Sequence, residues 1–206
     1  MFEAVLGSSM LYKAANNKIV EYELINLRDF GIGPRKQVDD IPYGGGDGML
    51  LKIEPLVAAV EHAKKSNPNA MVILPSPRGR LYKQSTAKKI AEGKHGLIII
   101  CARYEGYDER ITNWVDEVYR VGNYVLTGGE IPAMTIVDSV VRLLPGVLGG
   151  EMSAEIESFQ ADDITVEFPQ YTRPEKFLDL QVPEVLLSGD HAKIEQWREE
   201  RQQAAD

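Results

Sequence analysis

Arg120-Val-Gly-Asn-Tyr-Val-Leu-Thr-Gly-Gly-Glu-Ile-Pro-Ala-Met134 decides how the chain is read. It reads as a short strand that runs through a bare glycine pair into a helix. Gly128 and Gly129 carry no side chain, so a ligand or a second stretch of backbone can come close to the main chain there. The helix opens with Glu130 and Pro132, runs apolar through Met134, Ile136, Val137, Val140, Val141 and Leu144, and stops at Pro145-Gly146. Being apolar nearly all round, it is expected to be buried. A tight turn between a strand and a buried helix is a usual place for a small ligand at the edge of an α/β sheet, although a plain structural turn has the same pattern.

The neighbouring stretches repeat the alternation. Residues 53–65 place Leu56, Val57, Val60 and Ala63 on one side of a helix, and Met71-Val-Ile-Leu74 follows as a strand. Pro75-Ser-Pro-Arg-Gly-Arg80 closes that strand at its carboxyl side. A second apolar run, residues 96–101, leads into the polar loop of residues 102–110. This order predicts an α/β fold with a mostly parallel sheet and helices on both faces. Upstream, Phe2, Val5, Leu6, Met10, Leu11 and Ala14 predict a helix over residues 2–15, and residues 19–27 alternate like a strand. Residues 28–47 are too irregular for a regular element, and loops of that length inside compact domains are usually functional or disordered. Three glycines in Pro42-Tyr-Gly-Gly-Gly-Asp-Gly-Met49 could cradle a phosphate, but no Gly-Lys-Ser/Thr follows, which argues against a nucleoside-triphosphatase loop. Near the end, Ser188-Gly-Asp190 caps a final helix, residues 192–201, that carries Ile194 and Trp197.

Composition narrows the function. With 206 residues, 44% of them hydrophobic, the chain can build one main domain and a short appendage. Lys and Arg number 23 against 31 Asp and Glu, a net charge of -8, which argues against a general nucleic-acid-coating protein. Any polyanion must meet a local basic face. Residues 76–94 offer one: Arg78, Arg80, Lys83, Lys88, Lys89 and Lys94 against Glu92. A solvated helix surface accounts for such a run as well. Residues 145–171 are instead rich in acids, and among Glu151, Glu155, Glu157, Asp162, Asp163 and Glu167 it is Glu157, set between Ile156 and Ser158-Phe159, that stands out. The lone Cys101 ends an apolar run and reads as an inert core residue. It excludes a disulfide within the chain and favours a cytoplasmic setting. No apolar run reaches the length of a membrane span.

Five motifs in one order carry a resemblance: Pro42 to Met49, Arg103-Tyr-Glu-Gly-Tyr-Asp-Glu-Arg110, Tyr124 to Met134, Arg142-Leu-Leu-Pro-Gly-Val-Leu-Gly149 and Tyr171-Thr-Arg-Pro174. The chain resembles the bacterial tRNA (guanine-N1)-methyltransferase (TrmD) family of the SPOUT superfamily. That resemblance implies a deep trefoil knot, which periodicity does not reveal and general topology rules argue against. It implies a homodimer with its active site at the subunit interface. It also implies transfer of a methyl group from S-adenosylmethionine to N1 of the guanosine at tRNA position 37, with help from magnesium. A truncated relative that binds S-adenosylmethionine or tRNA without turnover is the alternative.

Carried over by position, the cofactor pocket is lined by Ser76, Pro77 and Gly79, by Ala102, Tyr104 and Gly106, and by Val121, Tyr124, Leu126, Gly128, Gly129 and Pro132. Guanine N1 must lose a proton as the methyl arrives, so a carboxylate base is needed. Glu157 matches that base, where the family usually has an aspartate. Arg142 matches the cation that stabilises charge developing toward O6, although an arginine at a helix end can equally serve the last carbonyls. Glu105 matches the acid associated with magnesium. Ala102 stands where the family has glycine. The resemblance further implies a strand ahead of Met1-Phe2 and a helical C-terminal region that grips tRNA. The expected organisation is therefore residues 1–156 as the cofactor-binding domain lacking its first strand, residues 157–172 as a flexible linker, and residues 173–206 as a truncated tRNA-binding region.

Overall fold

Alternation in the central strand sets the architecture. Val72 and Leu74 face one side of the sheet and Ile73 the other, and all three are fully buried, as period-two side-chain geometry requires. In the computed structural model, which describes residues 1–93, 95–149, 157–159 and 162–204, the chain divides into two units, Met1–Leu148 and Gly149–Asp206.

The first unit begins with α1 (Phe2–Leu6) and α2 (Ser9–Asn16), followed by a short antiparallel ladder of β1 (Asp39–Asp40) with β2 (Leu50–Leu51). Then come α3 (Ile53–Ser66), β3 (Met71–Leu81), α4 (Gln84–Glu92), β4 (Leu97–Ile99), β5 (Glu117–Arg120) and α5 (Glu130–Val141). The sheet has the order β4-β3-β5 and is parallel throughout. Against the Val72 and Leu74 face pack Leu56 and Val60 of α3. Against the Ile73 face pack Ala87 and Ile90 of α4 with Ile136 and Val140 of α5. Burying each of the leucine, isoleucine and valine side chains among these stabilises the fold by roughly 1.5–3 kcal/mol. The sheet is thus sandwiched between helices, as the sequence predicts.

Six expectations need correction. Strand β3 runs on to Leu81 through residues 75–80, the stretch expected to close it, and α5 ends at Val141, three residues before the expected Leu144. The helix predicted over residues 2–15 is broken at Gly7 and Ser8, where glycine is a poor helix former and the Ser8 hydroxyl donates to the Ala4 carbonyl at 2.6 Å. Residues 19–27 do not form a strand: Ile19, Val20 and Tyr22 pack on the cluster of Leu11, Ala14 and Val141, and the Ile19 and Val20 amides donate to the Ala14 carbonyl instead of to a neighbouring strand. The strand of residues 96–101 shortens to β4. Finally, the strand preceding the glycine pair ends at Arg120 rather than starting there. Arg120 pairs with Leu81, the last residue of β3, so no ladder remains for residues 121–129 and they form a loop.

The second unit holds β6 (Thr165–Val166) paired with β9 (Gln203–Ala204), a hairpin of β7 (Lys176–Phe177) and β8 (Leu180–Gln181), α6 (Glu184–Leu187) and α7 (His191–Glu200). Helix α7 starts where predicted: the Asp190 carboxylate accepts from the Lys193 amide at 3.3 Å. Its Trp197 is buried and packs against Tyr171 in a tilted ring pair, 6.3 Å between centroids. Lys94, Glu151, Glu155 and the expected boundary at residue 156 lie outside the described residues. Among the described residues, no helix is long and apolar enough to cross a membrane.

Candidate active site

A bulge in β3 and the two segments that follow β4 and β5 enclose one cavity of about 460 Å³, within the size range of small-molecule pockets. The first is a bulge in β3. Both Pro75 and Arg80 stand opposite Tyr119, so residues 76–79 loop out of the ladder between them. The second follows β4, where Tyr104 (φ 60°) and Gly106 (φ 126°) turn the chain back through left-handed backbone. The third is the loop of residues 121–129 that leads into α5.

Of the twelve residues expected to hold the cofactor, all but Gly79 line this cavity. Gly79 is buried behind it, so close to β5 that a side-chain carbon there would lie 2.5 Å from the Tyr119 nitrogen. A requirement for backbone contact, not for ligand contact, accounts for that glycine. Gly129 is similar: its amide donates to the Ala102 carbonyl at 2.8 Å, joining the third segment to the second.

Side chains cross-link the same three segments. The Tyr107 hydroxyl donates to Ser76 Oγ at 3.0 Å, joining the second segment to the bulge. Arg103 Nε donates to Glu130 Oε1 at 2.6 Å, joining it to the first turn of α5, where a carboxylate also favours the helix dipole. Arg120 Nη1 donates to the Gly79 carbonyl at 2.7 Å, and its Nε to Asn123 Oδ1 at 3.0 Å, joining the bulge to the third segment. Tyr107 and Arg120 line the cavity too, but they are absent from the sequence-derived set. Tyr107 lies within residues 103–110, and Arg120 opens the stretch that leads into α5. The pairing partners that give them a role are 31 and 41 residues away.

Glu105, expected to associate with magnesium, lines the cavity, and its amide donates to the Met49 carbonyl at 3.1 Å, which ties the glycine-rich loop of residues 42–49 to the site. Among the described residues no group of three or more His, Cys, Asp or Glu could hold a metal ion. Glu109, the other carboxylate on the cavity wall, pairs with Arg78 at 2.8 Å. Arg142 is the half-buried C-cap of α5, its amide donating to the Asp138 carbonyl at 3.2 Å. Glu157 belongs to the second unit and is half-buried; next to it Ser158 Oγ accepts from the Glu167 amide at 3.1 Å.

Cys101 lies at the end of the second strand's apolar run. Burial, and then the Glu130 carboxylate, push its thiol up to about 12, with Arg103 opposing. A thiol in that state is a poor nucleophile at neutral pH, in line with the inert role read from sequence. The basic face of residues 76–94 is less free than its composition suggests. Arg78 is bound to Glu109, and Arg80 to Glu117 at 2.6 Å and to the Tyr119 hydroxyl at 2.9 Å.

Known proteins similar to this chain point to one family. The profile of the family described as tRNA (Guanine-1)-methyltransferase TrmD matches residues 1–205. Curated relatives named tRNA (guanine-N(1)-)-methyltransferase include one from Staphylococcus epidermidis, 50% identical over 202 residues, and one from Geobacter sulfurreducens, 48% identical over 202 residues; each alignment covers 98% of this chain and 81% of the relative. A third, from Geobacillus kaustophilus, is 50% identical over 201 residues, covering 97% of this chain and 81% of the relative. At that identity and coverage, the chain belongs to the tRNA (guanine-1)-methyltransferase TrmD family.

Proposed function

We infer that the chain is an S-adenosylmethionine-dependent methyltransferase acting on N1 of guanine in tRNA, built on the knotted α/β fold of its family. The observation that carries the reading is the convergence of eleven of the twelve expected cofactor residues on one cavity. The cavity suits that cofactor: bare backbone at Gly106, Gly128 and Gly129 can meet adenine and ribose closely, while Pro77, Val121, Leu126 and Pro132 supply apolar walls.

Within this reading the acceptor is the guanosine at position 37, and each chemical role falls to a named residue. The bound cofactor supplies an electrophilic methyl group. Glu157 takes the N1 proton as the methyl arrives, which leaves the guanine neutral after transfer instead of cationic. Arg142 holds positive charge toward O6, where electron density gathers as N1 is deprotonated. Glu105 is the single cavity carboxylate without an ion pair among the described residues. One carboxylate suits a magnesium ion held mostly by water and substrate oxygens, and we assign that association to Glu105. We assign residues 1–156 to the cofactor-binding domain, residues 157–172 to the linker between domains and residues 173–206 to the tRNA-binding region. Two chains associate with the active site at their interface; the exposed Tyr124, Val125 and Leu126 on the cavity wall support that assembly.

The test is methyl transfer from labelled S-adenosylmethionine to tRNA carrying guanosine next to the anticodon. Product with guanosine, and none when adenosine replaces it, is expected. No product at high enzyme concentration refutes the assignment.

A further inference from the structure

Resting on that cofactor reading, we propose that Arg120 is a positioning residue for S-adenosylmethionine: its guanidinium braces the β3 bulge against the loop of residues 121–129, fixing two walls of the pocket before the ligand arrives. The bulge is held by its ends. Pro75 and Arg80 share one partner, Tyr119, so the four residues between them have no ladder of their own. Ser76, at the start, is anchored by Tyr107. Gly79, at the end, has its carbonyl held by Arg120 Nη1 at 2.7 Å, and the same side chain reaches Asn123 Oδ1 at 3.0 Å. Asn123 lies within the loop whose Val121, Tyr124 and Leu126 line the cavity. One planar group therefore sets the distance between two walls.

The choice of arginine fits this task. Three arginines line the cavity. Arg78 and Arg103 each pair with a carboxylate, Glu109 and Glu130. Arg120 is half-buried, and both of its side-chain partners are neutral oxygens. A charged group so placed without a counter-ion loses hydration that a surface position would keep. A fixed fork of donors offsets this by meeting two acceptors at once, which a single ammonium cannot do in the same geometry.

The experiment compares wild type with Arg120→Gln, Arg120→Lys and Asn123→Ala by calorimetric titration with S-adenosylmethionine and with 5′-methylthioadenosine, which lacks the amino-acid tail. Arg120→Gln is expected to weaken both ligands alike, by about tenfold. Turnover at saturating cofactor should stay within about twofold, since the brace acts on binding and not on the transition state. Arg120→Lys and Asn123→Ala, which each keep part of the brace, should lose less. Unchanged affinity in Arg120→Gln overturns the proposal. So does a loss confined to S-adenosylmethionine, which would make Arg120 a direct contact for the ligand's carboxylate. A melting curve on each variant separates these outcomes from unfolding, and if Arg120→Gln does not fold, equal weakening of both ligands in Asn123→Ala decides instead. Failure of wild type to bind either ligand would remove the cofactor reading itself.

Discussion

The two glycines that open α5 should respond very differently to the same added methyl group. In Gly129→Ala, the new carbon would lie 2.9 Å from the Ala102 nitrogen and 2.9 Å from Cys101 Cα. Those are backbone atoms at the end of a buried strand, held further by the 2.8 Å bond from the Gly129 amide to the Ala102 carbonyl. The backbone at Gly129 is right-handed, φ -79° and ψ -5°, so alanine carries no conformational penalty and the cost is steric. In Gly128→Ala, the new carbon would meet Glu130 Oε2 at closer range and Arg103 Cδ at 2.9 Å. Both belong to flexible side chains that can step aside, giving up a half-exposed ion pair of small worth. Overpacking against backbone costs about 1–3 kcal/mol. For a chain of this size that is a fall in melting temperature of roughly 2–12 °C for Gly129→Ala. Gly128→Ala should fall by about 2 °C or less, on about 0.5 kcal/mol lost. Thermal unfolding followed by circular dichroism without ligand reads the effect directly. Equal melting temperatures for the two variants, or a larger fall for Gly128→Ala, would refute the packing argument.

Other outcomes follow from the proposed chemistry and the half-buried Cys101 thiol. Arg142→Ala and Glu157→Gln should each lower turnover by roughly 100-fold or more while sparing cofactor affinity, measured by single-turnover kinetics and calorimetry; an equal loss of cofactor binding in both would place them in the binding pocket instead. Cys101 keeps its proton in the folded state up to about 12, whereas the unfolded thiol loses it near its usual 9.0. In that window the native state binds more protons than the unfolded state, so stability contributed at this site falls as pH rises from about 9 to about 12. Urea midpoints of wild type should therefore drop more steeply over pH 9–10.5 than those of Cys101→Ala, and parallel curves would contradict the assignment.

Legibility in the sequence followed the range of the forces involved. The glycine pair, the start of the buried helix after it and the ends of α3 are local patterns, and each is found within a residue or two of its predicted place. Convergence of three loops on one cavity could be anticipated, because parallel strands deliver their carboxyl ends to the same edge. Residues 19–27 alternate like a strand, yet alternation only states that one side is apolar. Here the apolar side meets helices, and among the described residues no strand lies alongside to complete a ladder. The β3 bulge was invisible for a related reason: it exists because Pro75 and Arg80 share Tyr119, a register between distant segments. Tyr107 and Arg120 inherit their roles from that register, so no local reading could assign them.

Charge is divided unevenly between the two units, and this bears on how a tRNA is met. Residues 1–148 hold 18 Lys and Arg against 17 Asp and Glu, while residues 149–206 hold 5 against 14. A phosphate backbone gains affinity from cations that displace its counterions. Within these residues the second unit works against such attraction, and the first is close to neutral. Ion pairing removes more: Arg78, Arg80, Arg103 and Arg110 each have a carboxylate partner. Diffuse electrostatic attraction is therefore a poor account of substrate choice by this stretch of chain. Contacts that read shape and base edges remain, and those carry specificity in single-stranded RNA. A cofactor cavity whose walls are cross-linked by Tyr107, Arg103 and Arg120 suits that mode, because the methyl donor is then held in place with little rearrangement when a base approaches.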